Sequence, residues 1–200
     1  MRKNRKNLLK SKAIVSHTDE IFQGKTFSFV TEHVTLPNGV QTQAALVRHP
    51  GSSAIVPVFE DMTVAMTHQY RHPVGRYLLE IPAGTLKPGE SALECAQREL
   101  EEETGMIAGE FTHLSRIHIL PSYSDEQIHI FLARGLSRSR QKLDQDEIIQ
   151  VVKYPLARAM EMISGGEITC ALTILSLYRA LEYLKTEVFQ AREGRKSDGC

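Results

Sequence analysis

The residues of this sequence best suited to chemistry are glutamates in one short stretch without glycine or proline. Glu99, Glu102 and Glu103 stand at positions i, i+3 and i+4 of the segment Glu90–Thr104, and Gly105 follows it. This pattern predicts a helix with Gly105 as its C-cap. On such a helix the three carboxylates fall within about 100° of arc and form one face.

The rest of this helix divides into an apolar stripe and a polar face. The stripe is expected to pack on a sheet and consists of Leu93, Ala96 and Leu100. The polar face is expected to point to water and consists of Glu94, Gln97 and Glu101.

Clustered glutamates repel one another by tenths of a kcal/mol per exposed pair, so this face does not stabilise the helix. A hard divalent cation removes the conflict, because Mg²⁺ prefers oxygen ligands and also binds substrate phosphates. Such an ion polarises a phosphoryl oxygen and lowers the pKa of a bound water. The alternative is a solvated, glutamate-rich surface helix, which three glutamates alone would favour.

Arg98 stands one turn from both Glu94 and Glu102 and can also reach back to Glu90. A guanidinium holds a carboxylate bidentately and fixes its direction, so Arg98 is a candidate for orienting the acidic face. Gly84 suits a tight turn before the helix, and the glycine after the helix suits a left-handed exit.

The complete pattern decides between a functional helix and a surface helix. It reads Gly84-x5-Glu90-x7-Arg98-Glu99-Leu100-x-Glu102-Glu103-x-Gly105-Met106. At average residue usage a chance match is expected on the order of 10⁻⁸ per start position. The segment resembles the box that marks Nudix hydrolases at every defining position, which predicts an enzyme that cleaves pyrophosphate bonds.

Three phrases outside the box narrow the resemblance to the branch that contains ADP-ribose pyrophosphatases, over roughly Ile21 to Glu182. They are Gln69-Tyr70-Arg71-His72-Pro73, Leu79-Glu80-Ile81-Pro82-Ala83-Gly84 and Pro121-Ser122-Tyr123-Ser124-Asp125-Glu126. The third lies where that branch usually has a proline. The phrases indicate a subfamily rather than one substrate.

The resemblance implies a set of metal ligands. Glu99 and Glu103 would bind Mg²⁺, or Mn²⁺ in its place, with Glu102 assisting and the backbone carbonyl of Ala83 as a further ligand. Arg98 would act with Glu102 in catalysis by orienting the ligands, and the structural positions of the box are Gly84, Glu90 and Gly105.

The general base is expected on the acidic loop that ends in Asp144-Gln145-Asp146-Glu147. Enzymes of this branch often carry the base on a loop before a late strand, and a base must come within about 3 Å of the attacking water. Glu147 is the first choice and Asp146 the second. The alternative is an exposed acidic turn without a catalytic role.

Two further carboxylates and an arginine are candidate substrate ligands by the same resemblance. Arg71 would contact the substrate's phosphate or terminal ribose, supported by Glu80, and Glu126 would contact the terminal ribose or a metal. The alternatives are a surface ion pair between Arg71 and Glu80, worth little, and a carboxylate that merely begins a strand at Glu126.

The N-terminal strands carry phenylalanines that are core residues in most proteins. In a dimer with exchanged strands, Phe27, or Phe22 or Phe29 in its place, would stack on adenine, a contact worth about 1–3 kcal/mol. The resemblance implies such a homodimer, in which the N-terminal strands help to build the partner's active site.

The order of elements, strands, helix, strands and two helices, predicts an α+β fold. The family resemblance specifies a Nudix fold, an α/β/α sandwich with a central mixed sheet and an N-terminal antiparallel sheet extension. We expect a basic arm at 1–12, dimerisation strands at 13–50, the Nudix domain at 51–190 and a flexible tail at 191–200. The predicted strands are 26–36, 41–48, 53–59, 63–71, 77–81, 111–120, 127–132 and 148–154, with later helices at 156–164 and 170–190.

Composition excludes several other classes of protein. The formal net charge is zero and no long apolar run occurs, so nucleic acid and membranes are not expected partners. The basic arm is not followed by an apolar stretch, so it does not read as a signal peptide. Three dispersed cysteines predict neither disulfides nor a zinc site and favour a cytoplasmic location.

The sequence thus predicts a Mg²⁺-dependent enzyme that cleaves ADP-ribose or a related nucleoside diphosphate sugar into a nucleoside monophosphate and a sugar phosphate. One alternative is a pyrophosphatase for nucleoside triphosphates, such as oxidised ones, because its box would be identical. The other is a non-catalytic Nudix module that senses ADP-ribose. That module would be expected to have a damaged box and an attached DNA-binding region.

Overall fold

A computed structural model describes residues 11–145 and 147–197 of the chain. The chain divides into two compact units, one of residues 1–51 and 118–127 and the other of residues 52–117 and 128–200. The first boundary lies one residue from the predicted start of the Nudix domain, but residues 118–127 join the N-terminal strands. The predicted basic arm lies almost entirely outside the described residues.

The N-terminal unit is built on an antiparallel sheet, as predicted. Its strands, in the order β1-β2-β3, are β1 (Ile14–Gln23), β2 (Ser28–Thr35) and β3 (Gln41–Arg48). The turn between β2 and β3 contains Gly39 at φ 85°, where its N–H donates to the carbonyl of Leu36. Strand β1 is exposed along almost its whole length.

Residues 118–127 pair with the end of β3. The N–H of Val47 donates to the carbonyl of Tyr123 at 2.8 Å, and the N–H of Asp125 donates to the carbonyl of Val47 at 3.3 Å. Arg48 joins the same segment through Asp125, at 2.9 Å, and reaches the buried Glu32 on β2 at 2.5 Å. The conspicuous proline-containing phrase is therefore tied to the third strand by backbone and side chain alike.

The described residues of the second unit form two sheets, three α-helices and one short 3-10 helix at His72–Val74. The mixed sheet has the order β7-β4-β9-β8 and consists of β4 (Ser52–Pro57), β7 (Ala83–Thr85), β8 (Met106–His118) and β9 (Gln127–Arg138). Strand β4 runs parallel to β9 and antiparallel to β7. The other sheet is antiparallel, with the order β10-β5-β6, and consists of β5 (Thr63–Arg71), β6 (Arg76–Glu80) and β10 (Ile149–Pro155).

The helices are α1 (Ala92–Thr104), α2 (Leu156–Ser164) and α3 (Ala171–Ser197). Both α1 and α3 contact β4, which is buried at every position. Ile55 of β4 packs with Ala96 and Leu100 of α1 and with Phe131 and Ala133 of β9. The predicted α+β class and mixed central sheet are confirmed, and α1 is anchored to the most buried strand of its sheet.

Several predicted boundaries were wrong. Strand β8 begins at Met106, directly after the helix cap, rather than at residue 111, and β9 continues to Arg138 rather than ending at residue 132. Helix α3 runs to Ser197, so it includes residues predicted as a flexible tail. Strand β7 was not predicted. Backbone pairing holds these segments, and their side chains lack the apolar alternation that identifies a strand from sequence.

Within the described residues, no helix is both long enough and apolar enough to span a membrane. Cys95 is a buried free thiol, and Cys170 is a partly buried one.

Candidate active site

Helix α1 begins at a capping box that fixes which residues face inward. The hydroxyl of Ser91 accepts a hydrogen bond from the N–H of Glu94 at 3.3 Å, and the carboxylate of Glu94 accepts one from the N–H of Ser91 at 2.8 Å. The helix ends at Gly105, whose φ of 65° is left-handed. At both ends of the helix, nearby side chains or backbone groups therefore form hydrogen bonds with N–H and C=O groups that lack a partner within the helix.

The buried apolar face of α1 differs from the predicted stripe in one residue. Cys95, Ala96 and Leu100 are fully buried, whereas Leu93 is 41% exposed. The prediction for Leu93 was wrong because the helix begins at Ala92, where the first turn still projects into solvent. The small Cys95 takes its place against the sheet.

Glu99 and Glu103 extend this buried face as carboxylates, with 7% and 2% of their surfaces exposed. Among the described residues, the carboxylate of Glu103 is hydrogen-bonded by the backbone N–H of Ala83, at 3.2 Å. Burial raises the pKa of Glu103 well above its ordinary value, and the nearby carboxylates of Glu99 and Glu147 raise it further. Burial also raises the pKa of Glu99. These two side chains hold negative charge at a cost to the fold.

Arg98 lies at the centre of the exposed edge of the acidic cluster. Its Nε and Nη2 donate to the two oxygens of Glu90, at 2.7 and 2.8 Å, and its Nη1 donates to Glu99 at 2.5 Å and to Glu102 at 2.9 Å. The bidentate contact lowers the pKa of Glu90 to about 2. Arg98 thus has the geometry predicted for an orienting residue. The Glu94 contact considered from the spacing is replaced by the capping box.

Gly84 makes room for the carboxylate of Glu99. A Cβ atom built on Gly84 would lie 2.0 Å from the Glu99 carboxyl carbon, so no larger residue fits without displacing that side chain. The glycine is required here for close approach rather than for an unusual backbone angle. Strand β7, which carries it, pairs with β4 and brings both Ala83 and Gly84 beside α1.

The chemistry of this cluster fits a divalent cation. Across residues 11–145 and 147–197, no three His, Cys, Asp or Glu side chains converge in metal-ligating geometry. Arg98 accounts for this in part, because one of its nitrogens holds both Glu99 and Glu102. Among the residues that the structure describes, no cationic side chain is bonded to the buried carboxylate of Glu103. Hard oxygen donors with unbalanced negative charge are the ligands that Mg²⁺ and Mn²⁺ select.

Arg71 and Glu80 form an ion pair that is more than a surface contact. Nε of Arg71 donates to Glu80 at 2.8 Å, and the Glu80 side chain is only 8% exposed while that of Arg71 is 41% exposed. Glu80 thus holds one edge of the guanidinium, and the outward edge remains accessible. The positive charge of Arg71 also lowers the pKa of Glu103, against the larger effect of burial, so the pair lies near the acidic cluster.

Glu147 is half-buried and lies near the same carboxylates. Its charge raises the pKa values of both Glu99 and Glu103. Its Oε2 accepts a hydrogen bond from the N–H of Asp144 at 2.9 Å. Asp146, the second choice for the base, lies outside the described residues.

Glu126 and Phe27, the other two predicted substrate residues, belong to the N-terminal unit. Glu126 is half-buried with His49 Nδ1 at 3.7 Å from its carboxylate. Phe27 is 43% exposed and Phe22 is 57% exposed, so neither is a core residue of the described chain. The alternative that these two rings fill the core was therefore wrong.

Sequence reasoning missed two groups of residues because they meet over long separations. Arg48 joins Glu32 and Asp125, and Gln141 donates to the backbone carbonyl of Glu103 across 38 residues. Neither contact has a local sequence signal.

Comparison with known proteins agrees with this geometry. Residues 48–168 match the model of the NUDIX domain. The chain is 36% identical to an ADP-ribose pyrophosphatase of Bacillus subtilis (strain 168), over 88% of this chain and 94% of that protein. It is 34% identical to a methanol dehydrogenase activator of Bacillus methanolicus, over 85% and 91% of the two chains.

A solved structure is similar over the same extent. The crystal structure of an ADP compounds hydrolase superposes with a TM-score of 0.77 at 25% identity and covers 88% of this chain and 96% of its own. The intact box, the buried carboxylates of α1, the domain match and these relatives agree. The chain belongs to the Nudix hydrolase family, in its ADP-ribose pyrophosphatase branch.

Proposed function

We propose that this protein is a Mg²⁺-dependent pyrophosphohydrolase that cleaves ADP-ribose, or a related nucleoside diphosphate sugar, into a nucleoside monophosphate and a sugar phosphate. The observation that carries the proposal is the buried pair Glu99 and Glu103, which lies against the small residues of β7 without enough positive charge to balance it. The relatives named as ADP-ribose pyrophosphatase and ADP compounds hydrolase support this choice of substrate class.

The metal would be held by Glu99 and Glu103, with Glu102 assisting and the backbone carbonyl of Ala83 as a further ligand. When bound, a divalent cation neutralises diphosphate charge and lowers the pKa of a coordinated water. Glu90 keeps Arg98 in place through two hydrogen bonds, so Arg98 in turn orients Glu99 and Glu102. Mn²⁺ is the natural alternative to Mg²⁺ because both prefer carboxylate oxygen.

Arg71 binds the diphosphate or the terminal ribose in this proposal. Glu80 fixes the Nε edge of its guanidinium, so the remaining N–H groups are held in a constant direction at little entropic cost. The half-exposed position of Arg71 gives a substrate access to that edge.

Glu147 accepts the proton of the attacking water. The water oxygen forms a bond to one phosphorus of the diphosphate, and the bond from that phosphorus to the bridging oxygen breaks. The leaving phosphate carries away the negative charge, and the proton passes from Glu147 to solvent. No covalent intermediate with the protein is needed. The half-burial of Glu147 and its electrostatic effect on Glu99 and Glu103 support this role.

The protein acts as a homodimer in this proposal, with N-terminal strands that complete the partner's site. Strand β1 is a long exposed strand with apolar side chains on its surface, including Ile14, Ile21 and Phe22, at 69%, 59% and 57% exposure. Such a strand is a template for pairing with another chain. Phe27 would stack on adenine, and Glu126 would contact the terminal ribose or a metal. The free thiols Cys95 and Cys170 support a cytoplasmic location.

A substrate panel tests the function. We expect ADP-ribose with Mg²⁺ to give AMP and ribose 5-phosphate faster than GDP-mannose, UDP-glucose or NADH gives its products, with Mn²⁺ tested in parallel. Nucleoside triphosphates in the same panel are scored for pyrophosphate release. Release of pyrophosphate as the dominant activity would instead identify a nucleoside triphosphate pyrophosphatase. Tight ADP-ribose binding without turnover would identify a sensing module.

Light scattering during size-exclusion chromatography tests the dimer. We expect about twice the monomer mass for the wild type and a shift toward monomer for Ile21→Asp, because a charge on the pairing strand disfavours burial. A monomeric wild type with full activity would contradict the exchanged-strand arrangement.

A further inference from the structure

Residues 139–142, here called the strap, lie along the C-terminal end of α1. The N–H of Ser139 donates to the carbonyl of Gly105 at 2.7 Å, and the N–H of Lys142 donates to the carbonyl of Glu102 at 2.9 Å. The side-chain Nε2 of Gln141 donates to the carbonyl of Glu103 at 2.6 Å. The last carbonyls of a helix lack intrahelical partners, so the strap satisfies groups that would otherwise need water.

The fit between strap and helix is close at Gly105. A Cβ atom built on this glycine would lie 2.9 Å from the backbone nitrogen of Gln141, and its φ of 65° is left-handed as well. Gly105 therefore ends the helix and also admits the strap. The strap contacts α1 and its cap by backbone at two points and by two side chains, those of Ser139 and Gln141, of which only Gln141 bonds the backbone of the helix.

Gln141 is distinguished within the strap by the residue it contacts. Its amide holds the backbone of Glu103, the same residue whose carboxylate is the most buried of the acidic face. Ser139, in contrast, uses its hydroxyl on the carboxylate of Glu101, at 2.5 Å, on the solvent side of α1.

Only a short length of chain separates Gln141 from Glu147. Asp144 and Glu147 are joined twice, because the N–H of Asp144 donates to the Glu147 carboxylate at 2.9 Å and the N–H of Glu147 donates to the Asp144 carbonyl at 3.1 Å. On the far side, the carbonyl of Ile148 accepts a hydrogen bond from the N–H of Tyr70 at 3.2 Å, just before β10 begins. Glu147 is thus anchored to β5 through Ile148 and to α1 through the strap.

We propose that Gln141 is a positioning residue that sets the distance between Glu147 and the acidic face of α1 by anchoring the strap to the backbone of Glu103. This inference rests on the proposed function, in which Glu147 is the general base. It assigns a role to a residue outside the Nudix box, and the role depends on the amide N–H rather than on charge.

The test compares Gln141→Met with two controls in the same strap. Methionine keeps the length of the side chain and removes the donor, so the strap loses one anchor without a new charge near the glutamates. We expect kcat to fall about tenfold or more, because small displacements of a catalytic group act on this scale. The KM is expected to stay within about twofold, because Arg71 and Glu80 are untouched.

The controls are Lys142→Ala, which keeps the backbone hydrogen bond to Glu102, and Ser139→Ala, which removes only the contact to Glu101. Both are expected to keep kcat within about twofold of the wild type. All variants are assayed on the nucleotide that the wild type hydrolyses fastest, after thermal unfolding has verified that they are folded. If the strap had only a structural role, the loss of kcat would follow the loss of Tm in the same way in all three variants.

A double-mutant cycle with Glu147→Gln gives the decisive measurement. If Gln141 acts through Glu147, Gln141→Met should lower kcat in the wild type and have little further effect in the Glu147→Gln background. Independent, multiplicative losses would overturn the proposal, as would a normal kcat for Gln141→Met. A normal kcat for Glu147→Gln alone would overturn both the base assignment and this proposal, while metal-dependent turnover by the wild type would still support the proposed function.

Discussion

Glu32 and Glu103 are both buried glutamates, but their surroundings differ in one respect. Glu32 is 7% exposed and meets the guanidinium of Arg48 at 2.5 Å, and Arg48 also binds Asp125. Glu103 is 2% exposed, and the hydrogen bond it receives comes from the backbone N–H of Ala83. Within the described part of the chain, the first carboxylate is bonded to a cationic side chain and the second is not.

The difference separates a structural carboxylate from a functional one. A buried ion pair that is complete contributes to the arrangement of strands, and removal of one partner is costly. A buried carboxylate whose pKa is raised by burial is unstable in its ionised form, and binding a cation at that carboxylate would stabilise it. The exposed fraction alone would not distinguish Glu32 from Glu103, because both side chains are buried.

The largest expected contrast is in catalysis. Glu103→Gln should lower kcat/KM with Mg²⁺ on the order of 10³-fold, the scale on which one preorganised electrostatic group acts. The same change at Glu32 should cost less than about tenfold, because it weakens a strand contact and no metal ligand. Steady-state kinetics on both variants provides the measurement. Near-normal activity of Glu103→Gln would show that the metal assignment is wrong.

Gly84→Ala should lower kcat/KM by about 10²-fold. The added methyl would lie 2.0 Å from the Glu99 carboxyl carbon, so the Glu99 side chain must leave its position. Gly109→Ala is the matched control, because a Cβ there is 3.8 Å from its nearest neighbour, the carbonyl oxygen of Gly135. Equal activity of the two variants would show that the close approach of Gly84 to Glu99 is not needed for catalysis.

Glu80 sharpens the comparison, because it is buried and paired like Glu32 but its arginine is only partly engaged. Arg71→Ala should raise KM about tenfold with a smaller change in kcat, as expected for a group that binds substrate and transition state alike. Arg71→Lys should recover little, since lysine lacks the fork that Glu80 aligns. A change confined to kcat would assign Arg71 to the chemical step instead.

The smallest effect is on stability, and its sign should differ between the two glutamates. In metal-free protein at pH 8, Glu103→Gln should raise the free energy of unfolding by about 1–3 kcal/mol, because it removes a buried uncompensated charge. Glu32→Gln should lower it by about 2 kcal/mol, less than for a fully buried pair, since the Arg48 side chain is 40% exposed. Urea denaturation with a chelator present measures both.

The pH dependence follows from the direction of the shift. The folded pKa of Glu103 is raised, so wild-type stability from this group is fully present below its unfolded value of 4.5 and is lost as pH rises through the folded pKa. The advantage of Glu103→Gln should therefore vanish below about pH 4.5 and grow above it. Added Mg²⁺ should reduce it, because the ion stabilises the wild type selectively. An advantage independent of pH would point to packing rather than charge.

Much of the fold could be predicted where a periodic pattern of apolar residues is flanked by turn residues or glycines. The bounds of β3, β5 and α2 agree with the predictions to the residue, because turn residues or glycines flank each one. Helix α1 and its acidic face were also predictable, since the spacing of Glu99, Glu102 and Glu103 is a local property. The order of strands could not be read directly from such patterns.

What was missed depends on contacts between distant parts of the chain. Strand β7 is three residues long and exists because Ala83, Gly84 and Thr85 pair with β4. The burial that distinguishes Glu103 from Glu102 depends on the sheet packed against α1, which a helical projection does not contain. Gln141 contacts Glu103 across 38 residues of sequence, and β8 and β9 lie between them in the chain.

The capping box at Ser91 has a consequence for the rotational phase of α1. Each residue added or removed between the cap and Glu99 would turn the glutamates by about 100° about the helix axis. A single-residue deletion there would leave the composition of the acidic segment almost unchanged while directing Glu103 away from Ala83. The cap sets where the helix starts and therefore the direction in which its glutamates point. The number of residues between Ser91 and Glu99, which is seven, matters as much as their helical propensity.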